Sequence, residues 1–327
     1  MSALDASLII PAYNEAARLD AGFARLATAA AEGRIDLSRT EVLYVDDGST
    51  DETGAVATEL VRRLDHGRVL TQPANRGKGA AVRAGVRAAH GRVVVFTDAD
   101  LAIDPRQLPA LLGALEGAPI AVGTRAIGGH IDYGTWLRTR AGRTFNLLVR
   151  SLSKISLRDT QCGFKAARVA EAKVLFHYTT IAGFAFDVEF LSRARGLGWA
   201  CSEVPVSWRD VPGSHVDVAR HSVTMLGDLA RARLRSSSLP ALLGIDLPEG
   251  ISLAEVAAAC QATSLEAAPI LVDDDRTLTL LAALHEPAEA SPALQRLRTA
   301  LGEGRVRAVL SDEVRDASAM IAALPEA

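Results

Sequence analysis

Cysteine is scarce in this sequence of 327 residues, which contains only Cys162, Cys201 and Cys260. The three are far apart, have no metal-ligand spacing and form no even set, which favours a reducing compartment such as the cytoplasm. Residues 1–7 lack a basic stretch followed by an apolar run, so we expect no signal peptide. No uninterrupted apolar run reaches the roughly 18 residues of a bilayer span. Any membrane contact is therefore expected at the surface, on the inner face.

A strong excess of charge is also lacking. The formal net charge is −3, and 23% of the residues are charged. This balance gives no reason to expect a nucleic-acid partner. The hydrophobic fraction of 49% is that of an ordinary globular protein, and the length allows one large core or two unequal ones. We therefore expect a globular chain of up to two domains.

Short apolar runs alternate with amphipathic stretches along much of the chain. This alternation predicts an α/β fold with a mostly parallel sheet flanked by helices. The predicted strands cover residues 7–11, 41–45, 68–72, 92–97, 119–123, 163–168 and 200–207. The predicted helices cover residues 15–31, 77–89, 134–156, 186–195 and 218–235, and two others begin at about Glu52 and Pro105.

The segment SSSLP at 236–240 interrupts this pattern and is the predicted domain boundary. It separates a domain at 1–235 from a small C-terminal module at 241–327, which is expected to be α/β or helical. Strand candidates in the module lie at 269–272 and 305–310. We expect this module to support a homo-oligomer, to dock a partner or to cover part of the site.

Acidic side chains follow three of the predicted strands, in the segments 11–15, 46–51 and 98–100. Ligands of open α/β sheets bind beyond the carboxyl ends of the strands, where these side chains would meet. Like charges in one cleft repel, and a divalent cation bridging a diphosphate would offset that cost. Each segment alone has a simpler interpretation, as a solvated loop or a helix N-cap. Their occurrence at successive strand ends favours a binding site.

The sequence resembles glycosyltransferase family 2. The resemblance rests on IPAYNE at 10–15, VDDGSTDET at 45–53, NRGKGAAVRAG at 75–85, TDADL at 97–101 and GTR at 123–125. The segments DTQCGFK at 159–165, FAFDVEF at 184–190 and EVPVSWRDVPG at 203–213 are similar to the branch of dolichyl-phosphate β-glucosyltransferases. The resemblance covers residues 5–235 and implies a GT-A-type fold and an inverting transferase.

The resemblance also implies a donor site for a nucleotide sugar and a Mg²⁺ or Mn²⁺ ion. Asp98 would reach the ribose or the metal, and Asp100 would hold the metal on the diphosphate. Lys78 lies in a glycine-containing loop that suits either an anion or a purely structural role. The residues expected to line the nucleoside pocket are Pro11, Tyr13, Glu15 and Asp47.

The acceptor residues are less well defined by the sequence. Arg125 is placed to meet a phosphate or to be a solvated arginine at the start of a loop. Arg138 and Arg143 are candidates for an acceptor-phosphate site, or for the solvated face of a helix. Asp159 is the candidate base for a hydroxyl acceptor, with Asp187 or Glu189 behind it, or else an N-cap or the partner of an arginine.

One position departs from the family pattern. His215 stands where the branch is expected to carry a lysine. Its role on a phosphate is therefore open, and as a neutral imidazole it is also a possible metal ligand.

Three functions are compatible with these residues. The first is transfer of a hexose, expected to be glucose from UDP-glucose, to a polyprenyl or dolichyl phosphate. The second keeps the donor site but uses a soluble hydroxyl acceptor. The third is sugar-phosphate nucleotidyl transfer, which would call for a basic, glycine-rich loop after the first strand, where this chain has residues 11–15.

Overall fold

The computed structural model describes residues 4–125 and 155–209 continuously. It also describes the strands at 131–132, 239–246, 267–273, 277–284 and 306–309, and the helical positions 295, 296 and 299. The chain divides into two compact units, Met1–Arg233 and Leu234–Ala327. Within the described residues, no helix is both long enough and apolar enough to cross a bilayer.

The first unit is built on a seven-stranded sheet with the strand order β3-β2-β1-β4-β7-β5-β8. All neighbouring strands in it are parallel except at β7, which runs antiparallel to both β4 and β5. The strands of this unit are β1 (Ala6–Ala12), β2 (Thr40–Asp46), β3 (Gly67–Thr71), β4 (Val93–Phe96), β5 (Ile120–Thr124), β6 (Ile131–Asp132), β7 (Lys165–Arg168), β8 (Cys201–Pro205) and β9 (Trp208–Arg209). Strands β6 and β9 form a separate two-stranded parallel pair.

The central strands are short apolar runs because helices cover both faces of the sheet. All seven residues of β1 and all seven of β2 are buried, as expected for parallel strands packed on both sides. The helices are α1 (Ala16–Ala31), α2 (Thr53–Val61), α3 (Lys78–Ala88), α4 (Leu108–Gly113), α5 (Val169–Tyr178) and α6 (Phe186–Gly196).

Helices α1 and α3 pack on the sheet and begin at its carboxyl edge. Helix α1 buries Leu19, Phe23 and Leu26, whose spacing of four and three places them on one helical face. Helix α3 lies directly on β1, because a Cβ at Gly85 would sit 2.4 Å from Cγ2 of Ile9. Both helices begin at the carboxyl edge of the sheet, so this packing fixes the loops that lead into them.

The second unit contains a four-stranded antiparallel sheet with the order β11-β12-β10-β13. Its strands are β10 (Leu239–Asp246), β11 (Ala267–Asp273), β12 (Thr277–Leu284) and β13 (Val306–Val309). The strand candidates at 269–272 and 305–310 correspond to β11 and β13, whereas β10 and β12 were not predicted. Strand β10 begins inside the segment 236–240 that the sequence marks as a break.

The prediction of an α/β fold with a mostly parallel sheet is confirmed, and each predicted strand of the first unit is present. Helix α5 was not predicted. The helix expected over 134–156 falls mostly outside the described residues, and its last two positions, Ile155 and Ser156, are not helical. The helix expected over 218–235 lies outside the described residues.

Glu171, in the first turn of α5, is fully buried, and among the described residues neither of its carboxylate oxygens has a hydrogen-bond partner. Burial raises the pKa of this carboxyl from 4.5 to about 7. The native state therefore holds a proton that the unfolded state has lost between about pH 4.5 and 7, and stability falls as the pH rises through that window.

We expect Glu171→Gln to remove this pH dependence and to raise the free energy of unfolding at pH 8 by at most about 3 kcal/mol. Urea denaturation at pH 5 and pH 8 measures it, with the exposed Glu116→Gln as the matched control. If Glu171→Gln and the wild type lost the same free energy of unfolding between pH 5 and pH 8, the assignment of this pH dependence to Glu171 would be wrong.

Candidate active site

The candidate site lies at the carboxyl edge of the first sheet. Strands β1, β2, β4 and β5 are parallel and end there, so the loops that follow them meet at one edge. Strand β7 runs the other way and therefore begins at this edge. Its reversal brings residues 159–164, which precede it, beside the loops that follow β4 and β5.

The loops after β1 and β2 are tied together by side chains. The backbone N–H of Asn14, a residue with φ of 53°, donates to Oγ of Ser49 over 3.0 Å, and the N–H of Thr50 donates to Oδ1 of Asn14 over 2.9 Å. The N–H of Glu15 donates to Oγ1 of Thr53 over 2.7 Å. These bonds fix Glu15 at the start of α1.

Two carboxylates of the acidic run at 46–51 accept hydrogen bonds from backbone N–H groups. Oδ1 of Asp46 accepts from the N–H of Ser49 over 3.0 Å, and Oδ1 of Asp51 accepts from the N–H of Thr53 over 3.0 Å. Oδ2 of Asp51 also accepts from the N–H of Ala16 at the start of α1, over 3.3 Å. These two carboxylates therefore organise the loops and the helix starts.

Asp47 is buried and holds the loop that leads into α3. Its Oδ1 accepts from Nε2 of Gln72 over 2.8 Å and from the N–H of Arg76 over 3.0 Å, and its Oδ2 accepts from the N–H of Gly77 over 2.7 Å. Burial raises the pKa of Asp47, and the hydrogen bonds from the backbone oppose that shift. The expected contact with a nucleobase would thus be made by a carboxylate that already anchors this loop.

Two backbone N–H groups of the glycine-containing loop at 75–79, and one just after the loop, are bound within the protein. The N–H groups of Arg76 and Gly77 donate to Asp47, and the N–H of Ala80 donates to the carbonyl of Ala182 over 3.1 Å. Gly77 has φ of +97°, and a Cβ there would lie 2.5 Å from the same carbonyl oxygen. These bonds support a structural role for Arg76 and Gly77, and the loop also places the ammonium of Lys78 beside Asp98.

Lys78 and Asp98 form an ion pair in the site, with the ammonium donating to Oδ1 of Asp98. Burial works to raise the pKa of Asp98, but the positive charges of Lys78 and Arg125 hold it below its ordinary value. Gly163 closes over the same carboxylate, since a Cβ at Gly163 would lie 2.3 Å from Oδ2 of Asp98. The 159–165 segment is thereby in direct contact with the Asp98–Asp100 motif.

Asp100 is oriented from two sides. Its Oδ1 accepts from the N–H of Ala102 over 3.1 Å, and its Oδ2 lies 3.5 Å from Nη1 of Arg18. Arg18 also donates from Nε to Oε2 of Glu15 over 2.6 Å. Burial and the negative charge of Asp98 raise the pKa of Asp100, and burial also raises that of Glu15.

The residues Asp98 and Asp100 suit a hard divalent cation. Both are carboxylates, the ligand type that Mg²⁺ prefers, and their mutual repulsion is what a cation would relieve. No group of three or more acidic, histidine or cysteine side chains capable of holding a metal exists among the described residues. His215, the other candidate ligand, lies outside the described residues, as do Arg138 and Arg143.

Arg125 and Asp159 form a two-pronged ion pair. Nε of Arg125 donates to Oδ2 of Asp159 over 2.7 Å and Nη2 donates to Oδ1 over 3.0 Å, while the Arg125 backbone N–H donates to Oδ2 over 3.2 Å. Burial of Asp159 works to raise its pKa, yet the bonds and charge of Arg125 hold that pKa below its ordinary value. Of the interpretations considered from the sequence, this geometry favours Asp159 as the partner of an arginine.

The two carboxylates considered as alternative bases are engaged elsewhere. Asp187 accepts from Nζ of the fully buried Lys165 over 2.6 Å. Glu189 accepts from the N–H groups of Thr180 and Ile181 over 2.9 and 2.7 Å, and from Nη2 of Arg193 over 2.7 Å. Both are therefore part of the supporting structure.

Sequence reasoning missed several residues that shape the site, namely Arg18, Gly22, Arg25, Gly163 and Lys165. Lys165 donates to the carbonyl of Cys162 over 2.5 Å as well as to Asp187, and so fixes the turn that carries Gly163. The signal for Arg18, Gly22 and Arg25 was their spacing, since intervals of four and three place them on one face of α1.

Comparison with known proteins identifies the type of fold. The fold is of the GT-A type: glucosyl-3-phosphoglycerate synthase from Mycobacterium tuberculosis, solved with phosphoglyceric acid, superposes with a TM-score of 0.54 at 21% identity, over 76% of this chain and 85% of that one. Another structure of that enzyme contains Mn²⁺, uridine diphosphate and glucosyl-3-phosphoglycerate.

The family is established by sequence. The model for glycosyl transferase family 2 matches residues 7–186. The dolichyl-phosphate β-glucosyltransferase of Drosophila melanogaster is 39% identical over 231 residues, which cover 64% of this chain and 69% of the relative. The mouse protein of the same name is 36% identical over 245 residues, covering 70% and 75%. The chain belongs to glycosyltransferase family 2, and this assignment sets the nucleotidyltransferase alternative aside.

Proposed function

We propose that this protein transfers glucose from UDP-glucose to dolichyl phosphate or a related polyprenyl phosphate, with inversion at the anomeric carbon and with Mg²⁺ or Mn²⁺. Relatives at 39% and 36% identity are named dolichyl-phosphate β-glucosyltransferases. Their similarity covers 64% and 70% of this chain.

The observation that carries this proposal is the pairing of Asp159 with Arg125. A hydroxyl acceptor needs a carboxylate or imidazole base within hydrogen-bond reach, whereas a phosphate monoester has a second pKa near ~6 and is already largely dianionic at pH 7. Among the described residues, the candidate bases Asp159, Asp187 and Glu189 are each held by a cationic side chain. A phosphate acceptor is already negatively charged and needs no base, so it fits a site in which these carboxylates are paired.

The donor half of the site holds the nucleotide sugar in this proposal. Pro11, Tyr13, Glu15 and Asp47 line the nucleoside pocket, and Tyr13 is exposed at its rim. Asp98 and Asp100 hold the cation, which when bound offsets the charge that develops on the departing diphosphate. Lys78 is ion-paired with Asp98 and is placed to contact the same diphosphate.

The acceptor half aims the incoming phosphate at the sugar. Arg125, held in a fixed orientation by Asp159, presents a cation to that phosphate. Arg138 and Arg143 are proposed to add further positive charge. In this proposal the reaction takes place on the cytoplasmic face of the membrane, and the C-terminal module supports a homo-oligomer or docks a partner.

The proposal is tested by measuring release of nucleoside diphosphate from a panel of nucleotide sugars with Mg²⁺ or Mn²⁺, with and without a short polyprenyl phosphate. We expect release of UDP from UDP-glucose that depends on the lipid phosphate. Binding of UDP-glucose without lipid-dependent turnover would contradict the acceptor assignment and support a soluble hydroxyl acceptor.

Asp159→Asn separates the two acceptor chemistries. We expect a rise in KM for the lipid phosphate with kcat within about tenfold of the wild type and an unchanged pH–rate profile above pH 6, because Asp159 positions Arg125. Loss of a general base would instead lower kcat by roughly 10²–10⁴-fold. Steady-state kinetics from pH 6 to 9 measures both, with the exposed Asp65→Asn as control.

A further inference from the structure

One face of α1 packs against the turn that carries Asp98 and Asp100. Arg18, Gly22 and Arg25 lie on this face, at intervals of four and three residues. A Cβ at Gly22 would lie 2.9 Å from the carbonyl oxygen of Ala99. The helix backbone therefore approaches the turn as closely as a glycine allows, and the two arginines flank this contact.

The turn itself holds a residue in an unfavourable conformation. The N–H of Leu101 donates to the carbonyl of Asp98 over 3.0 Å and closes the turn. Leu101 has φ of +46°, and a residue with a side chain in this left-handed region costs about 1–2 kcal/mol. Because Leu101 is also buried, contacts from outside the turn must maintain this conformation.

Arg25 supplies such a contact at the strained position. Its Nη1 donates to the carbonyl of Asp100 over 3.2 Å and to the carbonyl of Leu101 over 3.0 Å. One nitrogen thus bridges the carbonyls of the strained residue and of the residue before it. Removal of this nitrogen would break both bonds to the backbone carbonyls of Asp100 and Leu101, and would leave the Asp100 carboxylate less firmly positioned.

We infer that Arg25 is a positioning residue for Asp100, and that it sets the affinity of the site for a divalent cation without contacting the nucleotide. The inference rests on the proposed function, because it assigns Asp100 to the cation. It differs from the role of Arg18, which contacts the carboxylates of Glu15 and Asp100 directly. Arg25 acts on Asp100 only through the backbone.

The test measures Mn²⁺ binding to the protein–UDP complex by electron paramagnetic resonance, and UDP binding in EDTA by calorimetry. Outer residues that orient metal ligands typically change metal affinity by 10–100-fold, so we expect Arg25→Met to weaken Mn²⁺ binding by about tenfold or more. UDP affinity in EDTA should not change. Arg25→Lys should restore most of the Mn²⁺ affinity, because a single nitrogen serves both carbonyls.

The control is Arg62→Met, which removes an exposed arginine of the same unit. Wild-type Mn²⁺ affinity in a folded Arg25→Met protein would overturn the inference, as would an equal loss of UDP binding in EDTA. If Arg25→Met does not fold, the shorter Arg25→Gln decides the question by the same two measurements. Failure of the wild type to bind Mn²⁺ and UDP together would instead contradict the proposed function.

Discussion

Asp100→Asn is expected to lower kcat/KM for UDP-glucose by roughly 10³-fold, because a neutral amide is a poor ligand for a divalent cation that stabilises the leaving diphosphate by several kcal/mol. The substitution keeps the shape of the side chain and can still accept from the N–H of Ala102. Stability should therefore change little. The measurement is initial rates at saturating polyprenyl phosphate over a range of Mn²⁺ concentrations.

The control for this variant is Asp20→Asn, which neutralises an exposed aspartate on α1. It should retain the wild-type rate, which would show that loss of one negative charge in this unit has no general effect. Activity of Asp100→Asn within tenfold of the wild type at every Mn²⁺ concentration would remove Asp100 from the cation site.

Gly163→Ala is expected to lower kcat by roughly 10²-fold, the typical cost of displacing a group in an active site by about 1 Å. The added methyl would lie 2.3 Å from Oδ2 of Asp98, a separation that real atoms do not allow. The carboxylate is the movable partner in this clash, so it swings away and its pairing with Lys78 is lost. The fold should tolerate the change, because a side-chain end moves and the backbone need not.

A double-substitution cycle with Asp98→Asn tests this mechanism. If Gly163→Ala acts through Asp98, the double variant should lose little more activity than Asp98→Asn alone. Gly196→Ala serves as control, since a Cβ there meets no atom within 4 Å. Fully additive losses would show that Gly163 acts by another route.

The sheet of the first unit could be predicted because its strands are short apolar runs bounded by polar loops. Helix α5 could not, since it follows β7 with no turn residue between them: Arg168 is both the last residue of β7 and the N-cap of α5. Strand β10 was missed because its sequence resembles a turn. Pro240 and the serines before it suggest a break, but pairing with β12 and β13 on both sides holds this segment as a strand.

The positions of the acidic loops could also be predicted, because the carboxyl ends of parallel strands share one edge. The ion pairs that control their charges could not be assigned to particular partners, although pairing of Asp159 with an arginine was one of the alternatives. Lys78–Asp98, Lys165–Asp187 and Arg125–Asp159 join residues 20, 22 and 34 positions apart in the chain. Only the order of strands in the folded sheet brings these partners together, and local sequence carries no signal of it.

The reversed direction of β7 has a consequence for how such an enzyme changes its specificity. The donor loops all precede position 126, whereas the segment at 159–165 enters the same edge from a later part of the chain. Under the proposed function, exchange of this one segment between relatives would change the part of the acceptor site that Asp159 organises, while the donor loops and Arg125 remain as they are. Gly163 is the position such an exchange must keep, because it is where the two halves of the site touch.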